Sequence, residues 1–183
     1  MSKVKKAMIT AVCTALCVVL TMAFRALPGG GAIYGPLVLP VLVCALVCGA
    51  GRGALCAVLG VTLSAVINGS PTAVLFIPVL CECLCCAASA GLVAGRAPFG
   101  ERATYAAVPT GLLLGRAVGG AVEAAFFAPR MPAFAAWAAG YFVASLPGLI
   151  VMLVLVPTLV RALAELSAVP TCANPAKEQT DGN

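Results

Sequence analysis

Three residues carry charge where this chain is otherwise apolar: Glu82, Arg116 and Glu123. A charged side chain at the centre of a bilayer costs roughly 2.5–3.5 kcal/mol on insertion scales, and more by other measures. Such groups face a bundle interior or a water-filled cavity. A carboxylate accepts hydrogen bonds from amines and ring N–H groups, whereas a guanidinium donates to carboxylates and carbonyls. The trio is therefore equipped to hold a polar small molecule.

The elements that must position these residues follow from composition. Of 183 residues, 62% are hydrophobic and 9% charged, against about 25% charged in a soluble domain. Such a chain cannot cover a water-facing surface, so it reads as an integral membrane protein. The formal charge of +5 is spread between apolar runs rather than gathered in one patch, so no nucleic-acid partner is expected.

Hydropathy predicts helices over residues 5–24, 35–50, 54–67, 72–94, 103–127 and 133–163, the last kinked at Pro147-Gly148. The separators are Pro28 with Gly29-Gly30-Gly31, a tight turn at Gly51-Arg52-Gly53, Asn68-Gly69-Ser70-Pro71, the 96–102 loop, and Pro129-Arg130-Met131-Pro132. Residues 1–165 form one six-helix membrane domain, and 166–183 form a disordered cytoplasmic tail. Lys3, Lys5 and Lys6 precede the first run as in a signal peptide. That run is long and no small-x-small cleavage site follows, so it is read as the first membrane helix.

Lys3, Lys5, Lys6, Arg52, Arg96, Arg102, Arg161 and Lys177 lie on one side of this arrangement, and only Arg25 and Arg130 on the other. The positive-inside rule then predicts an all-α protein of the cytoplasmic membrane with six transmembrane helices and both termini cytoplasmic. The second and third segments are short, so one of them is expected to be tilted or partly re-entrant.

At about 1.5 Å of rise per residue, Glu82 lies ~15 Å and Arg116 ~17 Å from the outer side, with Glu123 at only ~6 Å. Arg116 and Glu123 are seven residues apart, on nearly one face. The three either line a cavity open to the outside or include a Glu82–Arg116 ion pair that holds helices together. A ligand that competes for the pair reconciles the two. Tyr34, at the end of the glycine-rich loop, and Asn68 offer a lid at the outer end. Trp137 and Tyr141 stand either in the interfacial aromatic belt or over the pocket.

Bond-breaking chemistry has little to work with. The chain has no histidine, which removes the commonest general base and weakens any His/Cys metal site. Cys81, Cys83, Cys85 and Cys86 spread around a helix instead of converging. Cysteine in apolar runs behaves as a small hydrophobe. No phosphate-binding glycine loop, Gly-x-Ser-x-Gly or paired-carboxylate motif occurs. No enzyme activity, metal or cofactor is expected.

On these residues the chain resembles the substrate-binding S component of energy-coupling factor (ECF) vitamin transporters, over about residues 5–165. Ala7, Ala11 and Ala15 resemble the family's docking series on the first helix. Gly35-Pro36-Leu37-Val38-Leu39-Pro40-Val41-Leu42 resembles the start of its second helix. Gly69-Ser70-Pro71 matches a Gly-x-Pro turn, Glu82 a glutamate of the fourth helix, and Leu114-Gly115-Arg116 a Leu-Gly-Arg on the fifth. Leu39 stands where relatives often carry histidine, and Glu123 and the cysteine richness have no counterpart.

The resemblance implies that a vitamin or related micronutrient binds near the outer surface. The partners it implies are a transmembrane coupling subunit, docked through Ala7, Ala11 and Ala15, and two cytoplasmic ATPases whose hydrolysis topples the S component. The residues expected to contact substrate are Tyr34, Asn68, Glu82, Arg116, Glu123, Trp137 and Tyr141. The alternative is a stand-alone small secondary transporter or channel, against which the lack of an inverted repeat counts.

Overall fold

The computed structural model describes residues 3–25, 35–96, 101–127 and 134–167; within these, the side chains of 96, 101–104, 127, 134–138, 144 and 163–167 lie outside the description. Tyr34, the glycine run before it and the tail beyond 167 also lie outside it. Six helices make up nearly all of the described residues: α1 (Lys3–Arg25), α2 (Val38–Cys48), α3 (Ala50–Asn68), α4 (Phe76–Arg96), α5 (Glu101–Phe127) and α6 (Phe134–Ser167). No strand occurs among the described residues.

Four of the helices are long and apolar enough to cross a membrane: α1, α3, α4 over Phe76–Gly95, and α6 over Ala139–Ala162. Between 28% and 39% of each such stretch is buried, so most of its apolar surface faces outward. Val4, Met8, Val12, Leu63, Val66, Ile150 and Val154 are exposed in this way, which is compatible with a membrane protein and costly in water. Helix α5 has 27 residues and is not among the four. Its glycines, Pro109, Arg116 and Glu123 interrupt its apolar run.

Helix α2 departs most from the sequence expectation. It spans 11 residues, about 16 Å at the α-helical rise, roughly half of a ~30 Å hydrocarbon core. Gly35 and Pro36 form a turn closed by Val38 N–H donating to Gly35 O at 3.0 Å, and Gly49 at φ +95° ends the helix. Every α2 residue except Leu39 is buried, and α2 touches each of the other five helices. A helix apolar on all sides belongs in a core, and here it forms the centre of the bundle.

The turn expected at Gly51-Arg52-Gly53 is not there. Gly49 makes the reversal, and residues 51–53 belong to α3. Gly53 serves close packing instead: a Cβ on it would stand 2.5 Å from Cβ of Ala45. Helix α4 begins at Phe76 rather than 72, because residues 73–75 form a turn. Helix α6 runs through both Pro147 and Pro157.

The inner face of α1 is built from small polar residues: Thr10, Cys13, Thr14, Cys17 and Thr21 are buried. Each threonine hydroxyl donates to the carbonyl four residues back, at 2.8, 2.8 and 2.6 Å for Thr10, Thr14 and Thr21. That internal satisfaction lets hydroxyls be buried at little cost. Gly60 of α3 faces Cys17, leaving no room for a Cβ, which would lie 2.8 Å from Sγ.

Candidate functional site

Helices α4 and α5 approach closely because α5 presents glycine at every fourth position. Gly111, Gly115 and Gly119 share one stripe, and opposite them stand Ala90, Cys86 and Glu82 of α4. A Cβ would lie 2.9 Å from Ala90 Cβ at Gly111 and 2.8 Å from Glu82 Cβ at Gly119, and at Gly115 it would strike Cys86 Sγ. Small residues permit this approach where helices pack without a hydrophobic drive between them. The outermost step of the stripe therefore lays Glu82 against bare α5 backbone.

One turn away on α5, Arg116 reaches Glu82, with Nε 3.3 Å from Oε1. The glutamate side chain is 9% exposed and the arginine 16%. Arg116 Nη1 donates to the Tyr141 hydroxyl at 3.2 Å, and the guanidinium lies over the Tyr141 ring, 5.2 Å from its centroid. Tyr141 comes from α6, and a Cβ on Gly120 would approach its ring to 3.1 Å. Three helices thus contribute one charged and hydroxylic cluster. Glu123 is partly buried on α5, and its charge acts on both Glu82 and Tyr141.

Of the residues expected to bind, the structure brings together Glu82, Arg116 and Tyr141, with Glu123 in electrostatic range. Asn68 is engaged elsewhere. It is buried at the end of α3, its Nδ2 donates to Val18 O of α1 at 3.1 Å, and its backbone carbonyl accepts from Arg25 Nη1. Its Oδ1 is buried without a hydrogen-bond partner. Tyr34 and the Trp137 side chain lie outside the described residues.

A recess of about 420 Å³ opens between the end of α3 and the start of α4, lined by Ala65, Val66, Gly69, Phe76 and Ile77 among others, with no candidate residue in its lining. Among the described residues no group of histidine, cysteine or acidic side chains is arranged to hold a metal ion.

Two contributors escaped the sequence. Gly35 sits at φ +49°, and a Cβ there would lie 3.8 Å from Arg116 Nη2. Its Gly-Pro pair signals a turn but not what the turn faces. The second is a cluster of buried thiols on α1–α3, in which Cys44 lies against Cys13, Cys48 and Cys56. Comparison of the chain with protein-family models, curated proteins and solved structures finds no match.

Proposed function

We propose that this chain is the membrane-embedded substrate-binding subunit of an ECF-type transporter, taking up a vitamin or related micronutrient. It is not an enzyme in this reading. It lies in the cell membrane with both termini cytoplasmic, and all six helices cross or enter the bilayer, α2 as a short central element.

The observation that carries the reading is the Glu82–Arg116–Tyr141 cluster, polar chemistry gathered from three helices of an apolar bundle. The Glu82–Arg116 separation of 3.3 Å exceeds the ~2.7–2.9 Å of a tight charge-assisted bond, so a ligand group can compete for it. The sequence carries no nucleotide-binding motif, so transport energy comes from partner ATPases. Ala7, Ala11 and Ala15 are exposed on α1, opposite its buried Thr/Cys face, which suits docking of a coupling subunit.

The test is affinity purification of the tagged chain from its native membrane, followed by protein and small-molecule mass spectrometry. A coupling subunit, two ATPases and a small molecule should copurify, and Ala11→Trp should lose the proteins but keep the small molecule. Transport by the purified chain alone in liposomes would overturn the reading in favour of a secondary transporter.

A further inference from the structure

We propose that the Nη2 edge of Arg116, beside Gly35, receives an uncharged carbonyl oxygen of the ligand, as in an amide, imide or ring lactam, and not a carboxylate. This rests on the substrate-binding reading above and specifies which chemistry that site takes.

The guanidinium is held at two of its three nitrogens, Nε by Glu82 and Nη1 by Tyr141. Nη2 donates no hydrogen bond to a described residue, and the Arg116 side chain keeps 16% of its surface exposed. Nη2 faces Gly35, the one residue type that puts no side chain there. A Cβ on Gly35 would lie 3.8 Å from Nη2 and 3.9 Å from Met152 Cε. The Nη2 edge is thus bordered by the Gly35 backbone and by the Met152 methyl.

Charge decides which acceptor fits. Glu82 already compensates Arg116, and the negative charge of Glu123 acts on Glu82 and Tyr141. An incoming carboxylate would meet no surplus positive charge, and its own charge would stay uncompensated in a low-dielectric bundle. A cation would meet the donor face of a guanidinium. A neutral carbonyl loses far less hydration than an ion and gains a charge-assisted hydrogen bond from Nη2. Gly35 is then a specificity-determining residue, since any side chain at that position occupies the space the carbonyl takes.

The test uses three probes of nearly one shape and different charge: benzamide, benzoate and benzamidine. Binding to the full-length protein in nanodiscs is read by saturation-transfer NMR against empty nanodiscs. Benzamide should bind at least tenfold more tightly than either ion. Gly35→Asn tolerates positive φ and puts its own amide at Nη2. It should weaken benzamide at least tenfold with the melting temperature held within a few degrees, and Arg116→Lys should do the same.

Preference for benzoate or benzamidine, no measurable binding of any probe, or benzamide binding indifferent to both substitutions overturns the assignment. The two proposals fail separately. Copurifying ATPases with benzoate preferred would remove the carbonyl assignment and keep the transporter reading. Benzamide preference without such partners would do the reverse.

Discussion

Gly119 and Glu82 are in backbone-to-side-chain contact across the α4–α5 interface, with room for a hydrogen on Gly119 but not for a methyl group. Gly119→Ala therefore pushes Glu82 out of its groove and away from Arg116. Overpacking of this kind costs roughly 1–3 kcal/mol. Thermal denaturation in detergent should show a lowered melting temperature together with loss of the copurifying small molecule. An unchanged melting temperature would show that the helices do not pack this closely.

Removing one member of the ion pair leaves its partner buried and uncompensated. Glu82→Gln and Arg116→Ala should each destabilise by roughly 1–3 kcal/mol without unfolding the protein, toward the low end for soluble pairs because a membrane reference state also finds partners. The double substitution Glu82→Gln/Arg116→Gln should recover part of that loss. A double-mutant cycle on melting temperatures measures the coupling, and strict additivity would exclude a direct interaction. Both single variants should also lose the small molecule.

Tyr141→Phe keeps the ring beneath the guanidinium and deletes only the hydroxyl. The hydrogen bond from Arg116 Nη1 is lost, worth roughly 0.5–1.5 kcal/mol, while Arg116 becomes freer to move. Benzamide affinity should fall by about the same energy, roughly twofold to twelvefold, and folding stability by no more than that energy. A large stability loss with unchanged affinity would assign Tyr141 to packing alone.

Asn68→Ala tests a role in holding α1 to α3. It deletes the Nδ2 bond to Val18 but also the unpartnered buried Oδ1, and it leaves the carbonyl that accepts from Arg25. The net cost should be below about 1 kcal/mol, since the two effects oppose each other, and probe affinity should be unchanged. Affinity lost without a stability change would return Asn68 to the binding site.

Thiol accessibility reports the packing directly. Cys17, Cys44, Cys56, Cys83 and Cys86 have no exposed surface, whereas Cys81 and Cys85 are partly exposed on α4. Under native conditions in detergent, a maleimide should modify Cys81 and Cys85 first among the cysteines of the described residues. Peptide mass spectrometry at increasing times gives the order, and early labelling of Cys44 or Cys56 would contradict the burial of α2.

Composition and its glycine and proline punctuation already dictate a helical, apolar chain with Glu82, Arg116 and Glu123 inside its apolar runs. Runs of apolar residues with glycine and proline punctuation leave little choice but helices, and Glu82 and Arg116 stand out because charge is costly there. The segment 103–127 was legible to within two residues of α5. The turn after α2 was misplaced because three glycines lie close together, and composition does not say which one takes positive φ.

Tertiary structure alone decided that α2 is a short buried centre, that α5 turns its glycine stripe toward α4, and that Tyr141 of α6 closes on Arg116. It also separated Asn68 from that cluster and set Gly35 against Nη2. These are contacts between residues distant in the chain. Helical periodicity fixes which side chains share a face, but the rotation of each helix against its neighbours comes only from how all six pack at once.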